Sequence, residues 1–127
     1  MRDHGRTSIL VVDPDAGVRA LIRALLQRAG YLTDAADNAE EALQLHRTRD
    51  HAAVVVDPRI LGGEQLLDAL HGSGPDGSAN VIVVTTPDST GVPYGRNPNV
   101  RAVLLKPFRI DELARAVDSC CDGDGSA

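Results

Sequence analysis

Three runs of apolar, largely β-branched residues, each ending in a polar side chain, constrain this chain more than any other feature. They are Ile9-Leu10-Val11-Val12 before Asp13, Ala52-Ala53-Val54-Val55-Val56 before Asp57, and Val81-Ile82-Val83-Val84 before Thr85 and Thr86. Runs that do not alternate with polar residues are strands covered on both faces, as in a parallel sheet packed between helices. Val100 to Leu105, leading into Lys106-Pro107-Phe108, is a further strand, and Tyr31 to Ala36 is a short one.

Helical periodicity fills the gaps between these strands. After Pro14 and Asp15, the residues Val18, Leu21, Ile22, Leu25, Leu26 and Ala29 recur at helical spacing, and Gly30 follows as a stop. Asn38 with Glu41 three residues on is an N-cap signature for a helix through Ala42, Leu43 and Leu45. A short helix is expected around Glu64 to Leu70, followed by a Gly/Ser/Pro loop from Gly72 to Ser78. The last helix runs from about Ile110 to Cys120, with Leu113, Val117 and Cys120 or Cys121 inward. Strands alternating with helices imply right-handed crossovers and a doubly wound α/β sheet of five parallel strands. One connection breaks the alternation. PDSTGVPYGRNPN, between Thr86 and Val100, holds three Pro and two Gly in thirteen residues. An interior Pro costs a helix about 3 kcal/mol and Gly about 1, so an irregular segment is expected where a fourth helix would stand.

Bulk properties narrow the function. At 127 residues, 43% hydrophobic and 24% charged, the chain has the size and balance of one soluble domain. Only 2% of residues are aromatic, so Val, Leu, Ile and Ala must fill the core. The net charge of -5, without a cluster of Lys and Arg, argues against direct contact with nucleic acid. MRDHGRT at the N-terminus lacks the apolar core of a signal peptide, and no apolar run is long enough to span a bilayer, so the protein is expected in the cytoplasm and off the membrane. Adjacent Cys120 and Cys121 suit neither a disulfide framework nor a zinc site and read as free thiols. The His residues at 4, 46, 51 and 71 have no metal-ligand spacing and are expected on the surface. No Gly-rich phosphate loop follows the first strand, which argues against a nucleotide-binding domain.

In a doubly wound sheet, chemistry sits beyond the carboxyl ends of the strands. Asp13, Asp15, Asp57, Thr85, Thr86 and Lys106 fall on that rim. Clustered carboxylates repel one another unless a cation neutralises them, and hard oxygen donors suit Mg²⁺. A carboxylate beside a cation, a hydroxyl and a lysine can act as nucleophile toward a phosphoryl group, with Lys106, Thr85 and the metal meeting the charge on the transferring oxygens.

These residues resemble the response-regulator receiver domain of two-component phosphorelays. The resemblance runs through ILVVD at 9–13, GYLTDAADNAEEAL at 30–43, VVVD at 54–57, IVVTT at 82–86 and LLKPF at 104–108. It implies a flavodoxin-like (βα)5 sheet in the order 2-1-3-4-5, for which the chemotaxis member of this family is a standing example. The receiver domain would occupy 8–121, between a disordered segment at 1–7 and a flexible tail at 122–127. It further implies that Asp57 is the phosphoacceptor, Asp13 and Asp57 metal ligands with Asp15 a weak third, Thr85 and Lys106 the phosphoryl-binding and switch residues, and Lys106-Pro107 a cis peptide with Phe108 anchoring the last helix. The expected function is that of a single-domain signalling module, not an enzyme. It would take phosphate from a sensor histidine kinase or a histidine phosphotransfer protein and pass the signal by protein contacts to an output protein that the residues do not identify.

Several residues depart from the family pattern. Pro14 stands where the family supplies a direct Mg²⁺ ligand, which predicts weak metal binding and leaves Asp15 better suited to capping the first helix. The loop from Pro58 to Gly63 is about two residues short of the family pattern. Val103 replaces the family's aromatic switch residue, and the Pro/Gly-rich segment falls on its usual output face. Arg59, two residues past Asp57, could fold back on Asp57 or Asp13 as a substitute charge or lie solvated on the loop. These departures keep a second reading open, a pseudo-receiver that binds partners without phosphorylation. Asp13-Pro14-Asp15 also resembles the D-x-D motif of haloacid-dehalogenase-type phosphatases, but that reading leaves Asp57 unexplained.

Overall fold

The computed structural model describes residues 7–70, 80–86 and 100–122. In chain order the elements are β1 (Ser8–Val12), α1 (Ala16–Arg28), β2 (Leu32–Ala36), α2 (Ala39–Thr48), β3 (Ala53–Val56), α3 (Gly63–Leu70), β4 (Asn80–Thr85), β5 (Val100–Leu105) and α4 (Ile110–Asp122). The strands form one parallel sheet in the order β2-β1-β3-β4-β5, as expected. The proposed irregular segment between Thr86 and Val100, the 72–78 loop, and most of both terminal segments lie outside the described residues.

Register carries the strands' chemistry to one edge. Val12 pairs with Ala36 and Val56, so β2, β1 and β3 end level, while Val56 pairs with Val83 and β4 runs two residues further to Thr85. The ladder runs one residue further: Asp13 N donates to Ala36 O at 3.2 Å, Asp57 N to Val12 O at 2.9 Å and Lys106 N to Thr85 O at 2.7 Å. Each polar residue that ends a run therefore emerges beside its neighbour.

The period-2 geometry of the strands sends alternate side chains into two cores. Leu10, Val12, Val54, Val56, Val81 and Val83 pack with Ala39, Ala42, Leu66 and Leu70 from α2 and α3. Ile9, Val11, Val55, Ile82 and Val84 pack with Ile22, Leu26, Leu113 and Val117 from α1 and α4. Phe108 and both cysteines are partly buried against the second core. Tyr31 Oη donates to Asp118 Oδ1 at 2.5 Å, tying the turn after α1 to α4.

Two expectations change. Tyr31 belongs to the turn rather than to β2, its amide donating to Leu26 O at 3.0 Å. Val100 to Leu105 is the edge strand that the order 2-1-3-4-5 implies, shifted against β4 between Val81 and Ile82, with Val103 42% and Leu105 53% exposed. His46 and His51 are not on the surface but 6% and 1% exposed. His46 continues the inward stripe of Ala39 and Ala42 along α2, and a polar partner lets the fold bury each ring.

The tight connection from β3 to α3 depends on glycine. Gly62 sits at φ +79°, the left-handed region, and a Cβ on Gly63 would fall 1.8 Å from the Pro58 carbonyl oxygen. The loop closes back on itself, and a parallel bridge joins Asn38 to Leu61 at the start of α2.

Candidate functional site

Four of the expected residues converge beyond the ends of β1, β3, β4 and β5. Lys106 Nζ lies 2.8 Å from Asp13 Oδ2 and 2.8 Å from Asp57 Oδ2. Both carboxylates are about fully buried, at 1% exposure, and Thr85 is 3% exposed. The other oxygen of Asp57, Oδ1, accepts from Thr85 Oγ1 at 3.2 Å and from the Arg59 amide at 3.0 Å. Asp13 Oδ1 accepts from the Asp15 amide at 2.8 Å. Arg19 on α1, for which the sequence carried no signal, donates from Nη1 to the Asp13 carbonyl at 2.6 Å. Two buried carboxylates thus share one ammonium, and each remaining oxygen is met by a neutral donor.

Burial works to lower the pKa of Lys106, but hydrogen bonds and charge from Asp13 and Asp57 outweigh it and leave the group raised. The lysine is a fixed cation at neutral pH. The Lys106-Pro107 peptide is cis, as expected.

Two further candidates flank this group. Asp15 caps α1, its Oδ1 accepting from the Gly17 and Val18 amides at 2.8 and 3.2 Å. Arg59 extends across the mouth of the site, Nη1 donating to Thr86 Oγ1 at 2.6 Å. Its amide is fixed on Asp57 while its side chain reaches Thr86 just past β4, so of the two alternatives Arg59 does not fold back on either carboxylate, and the cation that meets them is Lys106.

The donor chemistry fits a Mg²⁺ ion held by few protein ligands. Asp13 and Asp57 present hard oxygens close enough together for one ammonium to touch both. Pro14 has no side-chain donor, and the contacts of Asp15 are those of a cap. Among the described residues no group of three or more His, Cys, Asp or Glu could hold a metal. Mg²⁺ habitually takes one or two protein carboxylates and completes its shell with water and phosphoryl oxygens, which is what this rim offers.

Comparison with known proteins decides the family. The model of the response regulator receiver domain matches residues 9–118. The chain belongs to the response regulator receiver domain family. The receiver domain is 36% identical over 109 residues to the response regulator MprA of Mycolicibacterium vanbaalenii, covering 83% of this chain and 46% of that protein. Against MprA of Mycobacterium tuberculosis the identity is 35% over the same length. The chain therefore spans about half the length of these curated relatives. Among solved structures, the signal receiver domain of an HD domain-containing protein from Pseudomonas fluorescens superposes with TM-score 0.83 at 26% identity, covering 99% of this chain and 94% of that one. Response regulator TrrA of Thermotoga maritima, solved with Mg²⁺ and BeF, gives 0.76 at 26% identity, covering 90% and 98%. TrrA in complex with the histidine kinase ThkA gives 0.74 at 27%, covering 90% and 97%. Receiver domains are signalling modules of two-component systems. No helix of the described residues is long and apolar enough to cross a membrane.

Proposed function

We propose that this receiver domain accepts a phosphoryl group on Asp57 from a phosphohistidine and transmits the change through protein contacts in the cytoplasm. The observation that carries the reading is the buried constellation of Asp57 with Asp13, Thr85 and Lys106. A carboxylate oxygen of Asp57 attacks phosphorus, the P–N bond breaks, and its electron pair leaves with the donor imidazole. The product is an acyl phosphate. Lys106 meets charge on the phosphoryl oxygens, and the Thr85 hydroxyl transfers its hydrogen bond from Asp57 to one of them. Mg²⁺, when bound by Asp13 and Asp57, supplies further charge neutralisation. The donor is a sensor histidine kinase or a histidine phosphotransfer protein, a reading supported by the kinase complex of the TrrA relative. Phosphorylation adds charge at a site already holding two carboxylates, and relief of that repulsion is the drive for change at the surface.

Incubation with acetyl phosphate and Mg²⁺ tests this. A mass increase of one phosphoryl group, lost in Asp57→Asn, is expected; no increase, or one that persists in the variant, overturns it.

A pseudo-receiver, signalling without phosphate, is favoured by one observation. Lys106 already satisfies both carboxylates and Thr85 already bonds Asp57, so the unmodified site is closed upon itself. Partner binding that is equal in wild type and Asp57→Ala, with and without Mg²⁺, would establish that reading.

A further inference from the structure

The second polar cluster of the fold lies under α2, at the opposite end of β3 from Asp57. His46, in the last turn of α2, faces His51, just before β3, with Nδ1 to Nδ1 at 3.0 Å. The rings stack with centroids 5.2 Å apart. His51 Nε2 lies 2.8 Å from Asp34 Oδ2 on β2, and Arg49 Nε lies 3.7 Å from the same oxygen. At 1% exposure, His51 has no access to bulk water.

This geometry limits where protons can sit. A carboxylate oxygen accepts, so His51 Nε2 carries a hydrogen. Two imidazole nitrogens at hydrogen-bond distance hold one hydrogen between them, donated by one and accepted by the other. The neutral pair satisfies this with His46 protonated at Nδ1 and His51 at Nε2. One extra proton is compatible, because the charged ring still meets a bare Nδ1 on its partner. A second extra proton is not: it sets two N–H groups head to head and stacks two cations in a buried site.

We propose that His46, His51 and Asp34 form an acid-sensitive latch, in which full protonation of the imidazole pair releases the last turn of α2 from the start of β3. The charged groups around the pair are few among the described residues. Asp34 faces it from β2, Arg49 offsets Asp34, and Asp50 lies in the α2–β3 connection; β1 and α3 bring apolar residues such as Leu10 and Leu70 to this face. Burial, then the charge of His51, hold the pKa of His46 below the ordinary imidazole value, against a smaller opposing pull from Asp50. A base depressed in the folded state binds fewer protons folded than unfolded. Its contribution is therefore full above the unfolded imidazole value of about 6.5 and is lost as pH falls below it. Asp57 lies six residues along the chain from His51, a distance of about 20 Å along an extended strand, so the latch does not depend on the phosphorylation chemistry.

Nitrogen-15 NMR of the histidine side chains in the full chain, from about pH 7.5 to about pH 5.5, reads the protons directly. Expected are an Nε2 hydrogen on His51, a single Nδ1 hydrogen for the pair, and protonation of His46 displaced to lower pH than a solvent-exposed imidazole. Urea unfolding over the same range should show the wild-type folding constant falling by up to about tenfold more than that of His46→Gln, whose amide cannot titrate. Hydrogen exchange, corrected for its intrinsic pH dependence, should quicken most at the end of α2. Two rings that titrate independently like surface histidines, or a pH dependence unchanged by His46→Gln, overturns the proposal. Should the variant not fold, the wild-type NMR titration decides.

Discussion

Lys106 is one cation answering two buried carboxylates, and the consequences are specific to that residue. Removing one partner of such a group leaves the others uncompensated, a situation that costs about 3–5 kcal/mol when fully buried and less here, because the lysine is 17% exposed. Lys106→Met is expected to lose on the order of 2 kcal/mol of stability without divalent cations. Mg²⁺ should restore part of that loss, since it can take up the same oxygens; urea unfolding with and without the metal checks both. The pH dependence follows from the direction of the shift. A lysine whose folded value is raised contributes fully below its unfolded value and loses that contribution only as pH climbs through the folded one. The contribution that Lys106 makes through its shift should accordingly be flat through neutral pH and fade in alkali, the reverse of the acid response expected from His46.

At the scale of elements, the first helix and the loop after β3 each turn on one residue. Asp15 accepts two amides at the N-terminus of α1, so Asp15→Ala should cost about 1 kcal/mol while leaving Mg²⁺-dependent labelling of Asp57 by acetyl phosphate nearly unchanged. Labelling that collapses in this variant would make Asp15 a metal ligand after all. Gly63 is pressed against the Pro58 carbonyl, where a Cβ has no room. Gly63→Ala should destabilise by about 1–3 kcal/mol and displace the loop whose Arg59 amide holds Asp57, slowing phosphorylation as well; thermal unfolding and labelling rates measure the two effects.

Across the whole molecule, stability comes from a sheet filled from both sides. Leu10 on the second strand of the sheet is fully buried, whereas Leu32 on its edge is 44% exposed. Leu10→Ala should therefore cost about 2–5 kcal/mol and Leu32→Ala under about 1, read as shifts of the urea midpoint.

Much of this organisation is legible in the order of residues. Short unbroken apolar runs rich in β-branched residues read as covered strands, helical spacing fixes α1, and a polar residue at the end of each run must reach the sheet's carboxyl edge, because parallel strands all point one way. That reasoning alone assembles Asp13, Asp57, Thr85 and Lys106. What it cannot decide is how a polar side chain is satisfied, since partners arrive from distant elements. His46 followed the inward stripe of Ala39 and Ala42, a signal available in the sequence, but only the pairing with His51 and Asp34 explains why an imidazole is tolerated there. Arg59 stood close enough to Asp57 to serve it, and the approach of β4 gave it Thr86 instead. The sequence by itself determined which residues meet at the phosphoacceptor's edge, through periodicity and strand direction; the tertiary structure decided which of them touch, because hydrogen bonds and ion pairs are settled over ångströms that spacing along a chain does not specify.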